Sequence, residues 1–178
     1  LALFLRYLQI LSPKFSAFFS KIIKFSIPSE TYNIRQNIPD FCSAFVENDA
    51  AAIEKGFNAY LRKIISIRDT NTKKEMKENF YHGILLGLLG SMDGWDVRSN
   101  AESGEGYSDI SIEVESREIG IIIELKYAEN ATFDESCRSA LQQIKDRNYA
   151  ETLLDDGMRT IHSYGIACYK KRCRVLSD

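Results

Sequence analysis

Hydrophobic residues recur at helical spacing in two parts of the first half of the chain. The first pattern covers residues 40–67 and is interrupted by the polar pair Asn48-Asp49, which predicts a break between two helices. The second pattern predicts a strong helix over residues 73–91. Its apolar side is formed by Met76, Phe80, Ile84, Leu85, Leu88 and Leu89.

Beyond residue 94 the period of the apolar positions changes from that of helices to that of strands. Trp95–Arg98 predicts a short strand, and Glu102–Tyr107, which contains two glycines, predicts a turn. Ser108–Glu115 alternates between polar and apolar residues, and Ile119–Lys126 is a run rich in β-branched residues. Both segments are therefore expected to be strands of one sheet.

The last third of the chain adds a helix and two more strands. Thr132–Leu154 predicts one long amphipathic helix, Thr160–Cys168 a strand, and Lys170–Val175 a strand that returns as a hairpin. This order of elements predicts an α/β (α+β) domain with a central mixed β-sheet flanked by helices.

Residues 1–38 read as an irregular or partly helical lead-in. Pro13, Pro28 and Pro39 lie in it or just after it, and proline interrupts regular elements. Its apolar run is interrupted by basic residues, so neither a membrane span nor a signal peptide is predicted. The absence of an initiator Met suggests a fragment of a longer protein. This lead-in is expected to pack against a missing domain or to dock onto a partner or membrane surface.

Composition excludes disordered and fibrous proteins. The 178 residues are 44% hydrophobic and 27% charged. The four cysteines form no C-x-x-C and only two His are present, which argues against a zinc site and favours reduced thiols in a reducing cytoplasm. Residues 1–38 and 157–178 each carry a net charge of +4, whereas 39–156 carries −10. This split fits a cation site beside a phosphate-binding surface, or it is chance.

A hairpin between the two central strands would place three charged residues together. With the turn centred between Ser116 and Arg117, the numbers of opposed residues sum to about 233, which sets Asp109 opposite Glu124. Lys126 shares the face of Glu124, because side chains two apart on a strand point to the same side. The opposite face is wholly apolar and must be core. It is formed by Ile110, Ile112, Val114, Ile119, Ile121, Ile123 and Leu125.

Two carboxylates this close repel unless one takes up a proton or a cation lies between them. A divalent metal such as Mg²⁺ suits one or two carboxylates together with water and substrate oxygens. Lys126 could then orient or deprotonate an attacking water, or neutralise a phosphate. The alternative is an ordinary cross-strand ion pair of Asp109, Lys126 and Glu124 on a solvated sheet face.

Two helices carry polar residues that could join this site. Glu78 and His82 lie four apart on the helix over 73–91, so Glu78 could be a metal ligand and His82 a ligand, proton carrier or phosphate contact. On the later helix, Gln142 and Gln143 are adjacent, and whichever of them faces the site could hold a water or a phosphate oxygen; Lys145 and Tyr149 follow them. Each is also compatible with an ordinary surface contact.

The order of these elements resembles that of the PD-(D/E)XK nuclease superfamily: a helix with Glu, a strand with Asp, a strand with Glu-x-Lys and a helix with Gln. They look like its bacterial branch that is often found C-terminal to an AAA-ATPase-like domain. The resemblance begins near residue 26. Its blocks are ENFYHGILLGLLG (78–90), SNAESGEGYSDI (99–110), IIIELKYAEN (121–130), ALQQIKDRNYAE (140–151) and SYGIACYKKRCRV (163–175).

The resemblance implies a restriction-endonuclease-like core at 71–178, preceded by a lead-in and helical connector at 1–70. It implies that Asp109 and Glu124 hold Mg²⁺ or Mn²⁺, with Glu78 as a further ligand, and that Lys126 is the catalytic lysine. The remaining site residues that it implies are His82, Gln143, Glu102, Tyr107 and Tyr149.

The resemblance also implies a cytoplasmic, metal-dependent nuclease that hydrolyses DNA phosphodiester bonds, with a possible N-terminal ATPase domain in the full-length chain. One departure from the branch is that Tyr107 stands where Arg is common, ahead of Ser108-Asp109. The alternative is therefore a catalytically weak or inactive module that binds nucleic acid or regulates the linked ATPase domain. The oligomeric state is left open.

Overall fold

The computed structural model describes residues 29–65, 76–104 and 106–178. The chain divides into two compact units, Leu1–Arg35 and Gln36–Asp178. Within the first unit only residues 29–35 are described, and they are helical. The rest of the predicted lead-in, residues 1–28, lies outside the described residues. The predicted domain boundary at residue 70 stays a prediction.

Within residues 29–65 and 76–95, three helices precede the sheet: α1 (Ser29–Val46), α2 (Ala50–Ile64) and α3 (Lys77–Leu89). The predicted break at Asn48-Asp49 is confirmed. Asn48 has a positive φ of 54°, and the Asp49 side chain accepts a hydrogen bond from the Ala52 backbone N–H at 2.9 Å, which caps α2.

Two expectations about these helices are wrong. Pro39 lies inside α1 and does not end it. Proline removes one backbone hydrogen bond, but Cys42 and Phe45 in the following turn are fully buried, and this packing outweighs the local preference. Met76 is 42% exposed and is not part of the apolar side of α3, because it precedes the helix as its N-cap. Residues 73–75 of that predicted helix lie outside the described residues.

The sheet has five strands in the order β1-β2-β3-β4-β5. Only the β3–β4 pair is parallel, and the other three pairs are antiparallel. The predicted mixed sheet is therefore confirmed. The strands are β1 (Asp96–Ser103), β2 (Gly106–Val114), β3 (Ile119–Tyr127), β4 (Thr160–Tyr169) and β5 (Arg172–Ser177).

The register of the central hairpin is confirmed. Ile110 pairs with Ile123, and Ile112 with Ile121, so the numbers of opposed residues sum as predicted. The turn is a short 3-10 helix, Glu115–Arg117, and the next residue, Glu118, is left-handed at φ 52°. The turn predicted at Glu102–Tyr107 is present but narrower, because Ser103 already pairs with Gly106 across it. Glu102 and Tyr107 are paired strand residues of the β1–β2 hairpin, which is longer than its polar sequence suggests.

Two helices, α4 (Phe133–Asp146) and α5 (Ala150–Asp155), connect β3 to β4. The prediction of one long helix over Thr132–Leu154 is therefore wrong. The chain bends at Asn148, which has a φ of 50° that Asn tolerates better than most residues. The bend directs Ile144, Tyr149 and Leu153 onto Ile122 of β3, where they form one buried cluster with Met158.

The sheet is consequently covered on both faces. One face meets α4 and α5. Helix α4 approaches this face closely because Gly165 has no Cβ, and a Cβ there would collide with the backbone carbonyl of Cys137 on α4. The other face carries the apolar residues of the central hairpin and meets α1, where the Phe45 and Tyr164 rings are 5.2 Å apart. All four cysteines are buried, unpaired thiols. None of the described helices has the length and hydropathy needed to cross a bilayer.

Candidate active site

The β2–β3 ladder ends at the pair Ile110–Ile123, and β3 continues beyond it without a strand partner on that side. Two side chains take the place of the missing strand. Asp109 Oδ2 accepts a hydrogen bond from the Leu125 backbone N–H at 2.8 Å, and Glu78 Oε1 accepts one from the Tyr127 backbone N–H at 2.9 Å. The N–H groups of residues 125 and 127 point the same way because the strand repeats every two residues. This separation of β2 from β3, which we call the split, therefore brings carboxylates from β2 and α3 to the same stretch of β3.

Glu124 is the most deeply buried of these acids, with 2% of its surface exposed. Its Oε1 accepts hydrogen bonds from Lys126 Nζ at 2.9 Å and from Gln143 Nε2 at 2.6 Å. Its Oε2 is buried and accepts no hydrogen bond from the residues that the structure describes. An ionised carboxylate with one oxygen unpaired in the interior is costly, so this atom is a candidate ligand for a cation.

Gln143 links the helix α4 to the two charged residues of β3. Its Oε1 accepts from Lys126 Nζ at 2.8 Å, while its Nε2 donates to Glu124 and lies 3.4 Å from the Tyr149 hydroxyl. The lysine can only donate, which fixes the amide so that its oxygen faces Lys126. The three side chains therefore form a closed ring of hydrogen bonds that holds the ammonium group in one place.

The electrostatics of the site show an excess of negative charge. Burial, followed by the charge of Asp109, raises the pKa of Glu124 to about 7, although Lys126 opposes this shift. Burial also raises the pKa of Asp109, against the hydrogen bond from Leu125 and the nearby His82 and Lys126. For Lys126, burial lowers the pKa, but the hydrogen bond and charge of Glu124 and the charge of Asp109 outweigh it, so the net pKa is raised. Lys126 is thus a protonated cation beside two acids that resist ionisation.

His82 contacts the backbone of Asp109. Its Nε2 lies 2.9 Å from the Asp109 carbonyl oxygen and 3.2 Å from Ser99 Oγ. A carbonyl oxygen only accepts, so Nε2 must carry the proton. His82 therefore positions the strand segment that bears Asp109. Ser99 was not singled out from the sequence, since an isolated serine in a polar segment carries no signal.

The remaining predicted residues lie around this centre at different depths. Tyr149 is 2% exposed, and its ring lies against Gly106, where a Cβ would come within 3.2 Å of the hydroxyl oxygen. Glu102 and Tyr107 are exposed cross-strand partners at the end of the β1–β2 hairpin, and Tyr107 has 63% of its surface exposed. The structure thus brings Asp109, Glu124, Lys126, Gln143 and Glu78 together, with His82 and Tyr149 behind them and Glu102 and Tyr107 at the periphery.

Two carboxylates and water form a ligand set that Mg²⁺ accepts. Among the described residues, no group of three or more His, Cys, Asp or Glu side chains is arranged to hold a metal ion. The orphaned Oε2 of Glu124 and the carboxylate of Asp109 nevertheless fit a hard cation, since a bound cation would offset the cost of ionising two buried acids side by side.

Comparison with known protein families gives a match. A family model described as PD-(D/E)XK nuclease superfamily matches residues 76–178, which is more than half of the chain and includes every residue of the site described above. Comparison with the curated proteins gives no match.

Proposed function

The chain belongs to the PD-(D/E)XK nuclease superfamily, and on this premise we propose that it hydrolyses DNA phosphodiester bonds with the help of a divalent metal ion at Asp109 and Glu124. The family supports a nuclease-type function in general. The observation that carries the finer proposal is the ring of Glu124, Lys126 and Gln143, with its unpaired carboxylate oxygen at the split between β2 and β3.

Asp109 and Glu124 would hold the metal, which we propose to be Mg²⁺ or Mn²⁺, and Glu78 would assist from α3. Members of the superfamily generally use divalent metals. A divalent ion lowers the pKa of a bound water and stabilises negative charge on a phosphate. The protein holds the carboxylates of Asp109 and Glu78 in place. The backbone N–H of Leu125 donates to Asp109, and that of Tyr127 donates to Glu78.

Lys126 would act as a fixed cation. Its raised pKa keeps the amine protonated at neutral pH, so it is suited to stabilise the phosphate charge that grows as the bond breaks, and to orient the attacking water. Gln143 holds the ammonium group by a 2.8 Å hydrogen bond, and Tyr149 lies behind Gln143. His82 is a positioning residue that fixes the Asp109 backbone.

A plasmid-nicking assay with Mg²⁺ or Mn²⁺ tests the proposal. Wild-type protein is expected to nick supercoiled DNA, and Asp109→Ala and Lys126→Ala are expected to lose at least about 100-fold in rate. Matched controls are Asp93→Ala, at an exposed turn residue, and Lys145→Ala, whose lysine pairs with Asp178 at 2.7 Å. Absence of nicking by the wild type, or equal nicking by all four variants, would contradict the proposal.

One observation favours a second function. Tyr107 occupies a position where the resemblance predicts Arg, and it is exposed beside the site. Without that cation the domain could bind nucleic acid but cleave it weakly, as a module that serves a linked ATPase domain. In that case the wild type would nick weakly and Tyr107→Arg would increase the nicking rate. Mn²⁺ binding in isothermal titration that disappears in Glu124→Ala would argue against a purely inert module.

A further inference from the structure

A group of cations lies next to the site, where the parallel strands β3 and β4 end. Tyr127 directly follows Lys126 and pairs with Cys168, which precedes Tyr169. Around these two tyrosines lie Lys77 at the start of α3 and the cations of the β4–β5 turn. We call Lys77, Lys170 and Arg172 the cationic rim.

Each cation of the rim rests on an aromatic ring. Lys77 Nζ lies 4.6 Å from the centroid of the Tyr127 ring, Lys170 Nζ lies 5.0 Å from that of Tyr169, and the Arg172 guanidinium lies 5.5 Å from that of Phe133. Such contacts are worth about 0.5–1 kcal/mol at exposed sites. They position the cation and leave its positive charge uncompensated.

The rings themselves are engaged with one another. Tyr127 stacks with Tyr81 at a centroid distance of 6.5 Å and contacts Tyr169 at 5.6 Å. With a cation over Tyr127 and neighbouring rings against it, little aromatic face is left for a nucleobase to stack on. A ligand that meets this surface would therefore contact the cations.

No acid neutralises the rim among the residues that the structure describes. Five cations elsewhere in the domain, Arg98, Arg117, Lys145, Arg159 and Arg174, do form ion pairs with carboxylates. The rim thus combines fixed geometry with positive charge that remains available to an external anion.

The turn that carries the rim is held rigidly. The Tyr81 hydroxyl donates to the Lys170 carbonyl at 2.7 Å, and Lys171 Nζ donates to the Arg62 carbonyl at 3.0 Å. Lys170 has a φ of 53°, a region that favours glycine over a residue with a side chain. The Lys170 side chain therefore starts from a strained backbone position.

We propose that the cationic rim binds the sugar-phosphate backbone of duplex DNA beside the scissile phosphate, independently of base sequence. The inference rests on the proposed function, because it places the substrate's flanking phosphates at the strand ends next to Lys126. Phosphates repeat along the duplex and each one neutralised by a cation releases counterions, so the binding must weaken steeply with salt.

Fluorescence anisotropy with a labelled duplex, in Ca²⁺ and at a series of NaCl concentrations, tests the rim. The test variant is Lys170→Ala/Arg172→Ala. The matched control is Lys145→Ala/Arg159→Ala, which removes the same charge from cations that are ion-paired elsewhere. The test variant is expected to bind about tenfold more weakly at low salt and to lose about 2 from the slope of log K against log salt, whereas the control keeps the wild-type slope.

A wild-type slope in the test variant, or an equal loss in both variants, overturns the proposal. Binding of the wild type to anionic lipid vesicles but not to the duplex overturns it as well, since the rim would then serve a membrane surface. The nicking assay on the same proteins separates the two proposals. Nicking with an unchanged slope contradicts the rim alone, whereas a reduced slope in a protein that never nicks supports the rim and contradicts the nuclease function.

Discussion

Asp109 and Glu113 lie four residues apart on β2 and point to the same face of the sheet, yet they meet different neighbours. Glu113 is 7% exposed, and its Oε1, like Glu124 Oε2, accepts no hydrogen bond among the described residues, but Arg98 from β1 places a guanidinium nitrogen 2.9 Å from it. The other acids near Arg98, Asp96 and Asp156, are about half exposed, so water screens them. This group is an ordinary structural ion pair.

Around Asp109 the balance is different. Two acids share one lysine, and that lysine donates to Glu124. The sheet ladder has ended, so backbone N–H groups and Gln143 complete the surroundings. Acids that alternate on a strand therefore do not by themselves define a functional site. The site is marked instead by more buried carboxylates than cations, at the point where β2 and β3 separate.

The substitution Glu124→Gln is expected to have the largest effect on both nicking rate and stability. Its nicking rate is expected to fall by at least about 100-fold, because a neutral amide is a poor ligand for a hard cation. The metal-free variant should nevertheless be more stable at pH 8, by on the order of 3 kcal/mol, since the cost of burying a charge beside Asp109 is gone. Nicking assays and urea unfolding measure the two effects.

Glu113→Gln is the matched control, because it makes the same change on the same sheet face. Nicking within about twofold of the wild type is expected, since Glu113 lies in the structural pair. Loss of nicking in both variants would mean that the two clusters do not differ in the way described.

The stability of the metal-free wild type should depend on pH. The folded-state pKa of Glu124 is raised from 4.5 to about 7, so between these values the folded state binds more protons than the unfolded state. The stabilisation is fully present below about 4.5 and is lost as pH rises through about 7, by on the order of 3 kcal/mol. Urea unfolding in EDTA from pH 4.5 to 8 measures this loss, and Glu124→Gln should lack most of it. An equal slope in the variant would assign the titration elsewhere.

Arg98→Ala should have a smaller effect of the opposite kind. It leaves Glu113 largely buried without its cation, which is expected to cost about 1 kcal/mol in the free energy of unfolding at pH 7. The nicking rate of the folded fraction should stay within about twofold of the wild type. A large loss of nicking without loss of stability would place Arg98 in the functional site.

Much of the central hairpin could be predicted from the sequence, because a polar turn and a strict two-residue alternation leave one register that buries the isoleucines. The sequence could not show that the ladder stops at Ile110–Ile123. Asp109 was expected to lie opposite Glu124 as a paired strand residue. Because the ladder ends one residue earlier, Asp109 instead accepts a hydrogen bond from the Leu125 backbone N–H. Glu78 likewise reaches a backbone N–H, a contact that helix periodicity does not report.

The helices were harder to predict for local reasons. Asn148 and its charged neighbours fit the solvent side of a helix, so the bend between α4 and α5 gives no break in the hydrophobic pattern. The contact of Gln143 with Lys126 depends on how closely α4 approaches β4 at Gly165, which is a tertiary property. The residues alone did not distinguish Gln143 from Gln142, and only the family resemblance implied that Gln143 belongs to the site.

Anomalous diffraction from crystals soaked in Mn²⁺ tests the central claim most directly. We expect a manganese peak between the carboxylates of Asp109 and Glu124 in the wild type, and its loss in Asp109→Asn with the fold unchanged. A wild-type map with no peak between these two residues, or a peak that persists in the variant, would contradict the claim that their uncompensated charge forms a metal site.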